Sequence, residues 1–218
     1  MRTETTTRTL YTFGELNDTA KAYAICKWRE DSDNNADTFW AECPTDDFRE
    51  CLKACGFEVE TYRGTRRPAI TWSGFSSQGD GAAFAASWCA AECKPDAWLA
   101  DRPVTYERDG KTVTCAHNQR WHNAVADIVA VAAAYPRGNG SVSLGRGNNM
   151  CLNQFTDDCD ADRDTDEGGD MFKDACESLA NAFYRTLESE YEYQNSDAVI
   201  AETLEANGYE FGRDGEMA

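Results

Sequence analysis

Two strand–turn–strand patterns lie between residues 57 and 115, and long helical periods lie on either side of them. In "FEVETYRGTRRPAITWSGF", Phe57, Val59 and Thr61 alternate with Glu58, Glu60 and Tyr62. Gly64 falls in a turn, and Ile70 and Trp72 alternate on the way back. In "PVTYERDGKTVTC" the pair Asp109-Gly110 sits where a tight hairpin turn needs residues that accept positive φ. Hairpins pair antiparallel strands. Because strands and helices follow one another without a βαβ rhythm, the expected class is α+β: a mixed antiparallel sheet with several packed helices.

The helices are read from caps and periods. Asn17 caps "NDTAKAYAICKWRED". Thr45 is expected to cap "PTDDFRECLKACG", with Asp46 and Asp47 in its first turn and Gly56 as its stop. "NQRWHNAVADIVAVAAAY" (118–135) is the most apolar helix, ended by Pro136. "MFKDACESLANAFYRTLESEYEY" carries Phe172, Cys176, Leu179, Phe183 and Leu187 on one face. Ser196 caps a last helix that Gly208 stops, and "YEFGRDGE" closes as strand and turn. A first strand is expected over 8–13 and one or two short strands over "GSVSLGRGNNMCLNQF". The run "AAFAASWCAAEC" suits either a helix or a strand. With no repeat and no Pro/Ser linker, a single α+β domain over 1–218 is expected, with 157–170 as an acidic loop.

Charge limits the partners. The chain carries a net charge of −18, and residues 157–218 hold 19 acidic against four basic residues, a balance of −15. Such a field repels nucleic acid and anionic membrane and attracts basic surfaces. No apolar run reaches the roughly 18 residues a membrane-spanning helix needs, and "MRTETTTRTLYTF" has no apolar signal core. A soluble cytosolic protein is expected.

In a reducing compartment the ten cysteines are thiols or metal ligands rather than a disulfide framework. The C-x3-C pairs Cys51–Cys55 and Cys89–Cys93 have a spacing that tolerates zinc. The same spacing aligns two small apolar side chains on one helix face, which is the expected role, so no cofactor or metal is assigned.

Candidate sites are few. In "GFSSQGDG" three glycines can take positive φ and Asp80 can accept backbone N–H groups. The phosphate-loop pattern is missing, as is its lysine. Gly74-Phe75-Ser76-Ser77-Gln78 fails the nucleophile-elbow pattern at its last position. A demanding turn is expected; as a ligand site the loop would use Trp72, Phe75, Gln78 and Asp80, with Arg66 and Arg67 meeting phosphate. Asp158, Asp160, Asp162, Asp164 and Asp166 alternate, yet no frame fits a calcium loop. His117 and His122 are five apart, not the four of a helical metal pair, and His122 is expected to pack or cap. No catalytic residue is assigned, and a non-enzymatic protein is expected.

Three stretches carry a resemblance. "LYTFGELNDTAKAYAICKWRE", "ITWSGFSSQGDGAAF" and "EYEYQNSDAVIAETLEANGYEFGRDGE" resemble the opening, core and C-terminal stretches of a family of phage and prophage accessory proteins. That family is often labelled antitoxin of a toxin–antitoxin stability system. Residues 90–118 show no such likeness and form a candidate insertion. The resemblance implies phage origin and an accessory role in the cytoplasm of an infected bacterium. Together with the charge, it leads to an expected function: inhibition of a host nucleic-acid-binding defence protein, such as a CRISPR effector, through an acidic surface of Glu188, Glu190, Glu192, Glu202 and Glu205. The alternatives are a small-ligand or nucleotide sponge built on loop 74–81, and an antitoxin of a toxin–antitoxin pair.

Overall fold

A computed structural model describes residues 8–35, 38–75, 77–157 and 165–218. In chain order the elements begin with β1 (Tyr11–Thr12), α1 (Asp18–Asn35), α2 (Glu42–Ala54), β2 (Phe57–Val59), β3 (Ile70–Ser73), β4 (Gly81–Phe84) and β5 (Ala86–Cys89). Then come α3 (Asp96–Ala100), β6 (Thr105–Arg108), β7 (Lys111–Thr114), α4 (Ala116–Ala134), β8 (Gly138–Leu144) and β9 (Met150–Asp157). The last are α5 (Thr165–Gln194), α6 (Asp197–Ala206) and β10 (Glu210–Phe211). The fold is α+β with antiparallel sheets. The chain divides into two compact units, one of residues 1–41 with 189–218 and one of residues 42–188.

The first unit joins the two ends of the chain. β1 pairs antiparallel with β10, Tyr11 opposite Phe211. Phe13, Leu16, Ala20 and Ala24 pack against Ile200, Leu204 and Phe211. The small Ala20 and Ala24 let α1 and α6 approach closely, while burial of each large apolar side chain contributes roughly 1.5–3 kcal/mol. Both expected caps form: Asn17 Oδ1 accepts from the Ala20 N–H at 3.0 Å, and Ser196 Oγ from the Val199 N–H at 3.4 Å. Arg29 donates to the Asn195 carbonyl at 3.0 and 3.1 Å and to the Asp197 carboxylate, fixing the turn between α5 and α6.

The second unit is built on a four-stranded antiparallel sheet, order β2-β5-β8-β9. Its inner face presents Phe57, Trp88 and Phe155 to Phe172 of α5, with ring centroids 6.1, 5.0 and 5.6 Å away. Phe48 of α2 stacks on Phe183 at 4.3 Å and meets Trp121 of α4 at 6.0 Å. β3-β4 and β6-β7 are separate two-stranded hairpins. The second turns at Asp109 (φ 53°) and Gly110 (φ 71°), as its residues dictate.

Several boundaries differ from expectation. α2 starts at Glu42 rather than at a Thr45 cap, because Pro44 fits the first turn, where its missing N–H has no intrahelical partner. The first strand contracts to Tyr11–Thr12, followed by a 3-10 turn over Phe13–Glu15. β2 finds its ladder partner in β5, while the expected hairpin around Gly64 closes beyond β2, through the antiparallel bridge Thr61–Pro68. The run over 81–89 resolves as two strands, β4 and β5, with Ala85 between them.

Candidate functional site

The glycine loop is the turn of the β3-β4 hairpin. Gly74 (φ 66°) and Gly79 (φ 95°) take the left-handed backbone that the turn requires. The Asp80 carboxylate accepts the Ser77 N–H at 2.5 Å, and the Asp80 N–H donates to the Ser77 carbonyl at 3.2 Å. A Cβ on Gly74 would overlap that carboxylate. Asn148, from the β8-β9 turn, donates to Ser73 Oγ at 2.5 Å and accepts from Thr71 Oγ1 at 3.4 Å, tying the hairpin down.

Beside the loop runs a row of three half-buried rings. Trp72 and Phe75 lie 6.1 Å apart and nearly parallel, and Phe75 lies 5.4 Å from Tyr184 of α5. Burial pushes the Tyr184 hydroxyl up, and the charges of Asp80 and Glu188 add to the effect while Arg185 opposes it. Trp72, Phe75 and Asp80 therefore come together. Gln78 is exposed on the turn, and Arg66 and Arg67 are exposed at the opposite end of β3, in the turn closed by the Tyr62 N–H bond to the Arg67 carbonyl at 3.0 Å. Ser76 and the aspartates 158, 160, 162 and 164 lie outside the described residues.

The five glutamates differ. Glu188, in the second unit, is half-buried and paired with Arg185 at 2.6 Å. Glu190, in the first unit, accepts from Gln194 at 2.8 Å. Glu192, Glu202 and Glu205 are exposed, and no ion pair involves them among the described residues.

Among the described residues no cluster of His, Cys, Asp or Glu is arranged to hold a metal ion. Cys51 and Cys55 are buried, and Cys89 and Cys93 half-buried. Burial pushes the Cys51 and Cys176 thiols well up, and burial with the neighbouring Cys55 and Asp96 pushes Cys93 up to about 12. Protonated thiols of this kind are poor nucleophiles and pack as small hydrophobes.

Sequence reasoning missed the outer face of the main sheet. Glu58, Ser87, Ser141 and Gln154 form one cross-strand row there, lining an open pocket of about 700 Å³ with Lys53 and Glu92 at its rim. Its strand alternation was legible, but the pairing that aligns the row was not. The histidines were also undervalued. His122 Nε2 lies 2.8 Å from the Arg102 carbonyl oxygen, while His117 lies among Arg120, Asp47 and Arg102.

Residues 40–197 match the family described as Domain of unknown function (DUF8835). The chain belongs to this family. The match contains the whole second unit, including residues 90–118, whereas most of the first unit lies outside it. Comparison with curated proteins and with solved structures gives no match.

Proposed function

We propose that the protein is a non-enzymatic binding protein that docks onto a basic, nucleic-acid-binding surface of a protein partner through its acidic C-terminal helices. The observation that carries this reading is the exposure of Glu192, Glu202 and Glu205 without basic partners among the described residues, on a stretch whose charge balance is −15. Exposed carboxylates with no local counter-ion project their field outward, and a cleft built for phosphates is drawn to such a field at long range. The sequence resemblance to phage accessory proteins suggests the setting, inhibition of a host defence component such as a CRISPR effector. The test is a tagged pull-down from the bacterial host followed by competition. A captured partner should be displaced by its own nucleic acid, and capture indifferent to nucleic acid would remove the mimicry.

A second reading rests on the ring row Trp72–Phe75–Tyr184, which offers flat apolar faces for a base or similar ring. Calorimetry with nucleotides on wild type and Trp72→Ala separates it from the first.

A further inference from the structure

Three nitrogen donors are buried in the second unit without an acceptor among the described residues: Nε1 of Trp98, Nη1 of Arg120 and Nε1 of Trp121. They belong to one neighbourhood. On α4, Arg120 and Trp121 lie three and four residues after His117, so both flank it, one on each side. Trp121 meets Trp98 edge to face, with ring centroids 5.5 Å apart. The Arg102 guanidinium lies 3.7 Å from the centre of a Trp98 ring and pairs with the Asp47 carboxylate of α2. His122 donates its Nε2–H to the Arg102 carbonyl, 2.8 Å away, and so holds that backbone against α4. His117 feels the charges of Arg120, Asp47 and Arg102 together.

The charge count at this place does not close. Asp47 neutralises Arg102, which leaves Arg120 with a fully buried Nη1 and no ion pair among the described residues. A guanidinium does not shed its proton to escape burial, and an indole N–H only donates. Burying such groups unpartnered costs free energy that an acceptor, best of all an anion, restores. The cluster borders solvent: His117 and Arg120 are half-buried, and the Asp47 side chain is 39 % exposed.

We propose that this cluster is a binding site for an oxyanion group, a phosphate or carboxylate carried by a small molecule, with Arg120 as the charged contact and Trp98 and Trp121 as neutral donors. Because the chain as a whole is strongly acidic and repels anions at a distance, binding here depends on the local donors alone. The site is independent of the acidic helices and of the ring row at Trp72.

The test is titration of the full chain with inorganic phosphate and, separately, with malonate, at ionic strength matched by chloride. Intrinsic fluorescence, to which Trp98 and Trp121 contribute among six tryptophans, reports binding. Saturable binding of either anion is expected, with chloride inert, and the tighter of the two identifies the group. Arg120→Gln should weaken it about tenfold or more, the size of a lost charge-assisted hydrogen bond. Arg213→Gln, exposed in the first unit and outside the cluster, should leave it unchanged. Nuclear magnetic resonance of the wild-type imidazoles locates the site without any variant, since His117 and His122 are the only two: the bound anion should move the His117 titration to higher pH. Absence of saturable binding by both anions overturns the proposal. So does binding that Arg120→Gln leaves intact, or that leaves His117 unmoved.

Discussion

Gly79 carries a φ of 95° with open space around its missing Cβ, so its identity is dictated by backbone and not by crowding. Gly79→Val should therefore lower stability by about 2 kcal/mol, the scale of holding a β-branched residue in the left-handed region. Asp80→Ala removes the acceptor of the Ser77 N–H and should cost less, about 1 kcal/mol. Urea denaturation measures both, and the reverse order would mean that the loop is organised by Asp80 instead of by its glycines. His117 gives a pH signature. Burial, then Arg120 on its own helix and Arg102 after α3, push its pKa down, while Asp47 of α2 opposes them. The unfolded chain therefore binds the proton more readily than the folded one. This contribution to stability is full above the unfolded pKa of about 6.5 and is lost as the pH falls from there toward the depressed folded value. His117→Gln, which cannot protonate, should flatten the decline in denaturation midpoint between pH 7.5 and 5. An unaltered pH slope would show that other groups govern it.

Between elements, the close approach of α5 to the sheet rests on missing side chains. A Cβ on Gly140 of β8 would meet the Phe172 ring at 2.5 Å, and one on Gly168 would meet Phe155 at 2.6 Å. Phe172 is fully buried among Phe57, Trp88 and Phe155, so it has nowhere to retreat. Gly140→Ala should cost about 2 kcal/mol through overpacking, although alanine suits a strand better than glycine does. A neutral or stabilising result in thermal denaturation would mean that the ring can shift. This contact also marks where the sequence stopped being readable. The Ser196 and Asn17 caps, the Asp109-Gly110 turn and the apolar stripe of α5 are local signals, and they stand where local chemistry puts them. The pairing of β2 with β5, the splitting of the alanine-rich run into β4 and β5, and the meeting of Asp47, Arg102 and His117 join residues far apart in the chain. Nothing in a hydrophobic period or a cap encodes such meetings. The ring row was half legible: Trp72 and Phe75 are sequence neighbours, whereas Tyr184 arrives from α5.

On the scale of the whole molecule, charge is the property that sequence and structure express alike. The two terminal stretches that suggested a phage accessory protein come together in the first unit, through β1 with β10 and α1 with α6, and Glu202 and Glu205 are exposed there on α6. A surface acting through its field has no single decisive residue, because an exposed pair of opposite charges is worth only about 0–1 kcal/mol. The informative variant reverses several at once. Glu192, Glu202 and Glu205, changed together to lysine, move the net charge from −18 to about −12, since each reversal adds two positive charges. The fold should stand, because all three are exposed while Ile200 and Leu204 carry the burial of α6. Circular dichroism and the denaturation midpoint check this first. Association with a basic partner recovered by pull-down should then slow markedly in the variant. Wild-type association should slow as salt rises, because screening shortens the field to about 8 Å at physiological ionic strength. The variant's own rate should respond less to salt, having less attraction to screen. Dissociation should change far less than association, since field steering acts on the encounter more than on the bound state. Association that ignores both salt and the triple reversal would remove the acidic helices as the docking surface and transfer attention to the rings of Trp72, Phe75 and Tyr184.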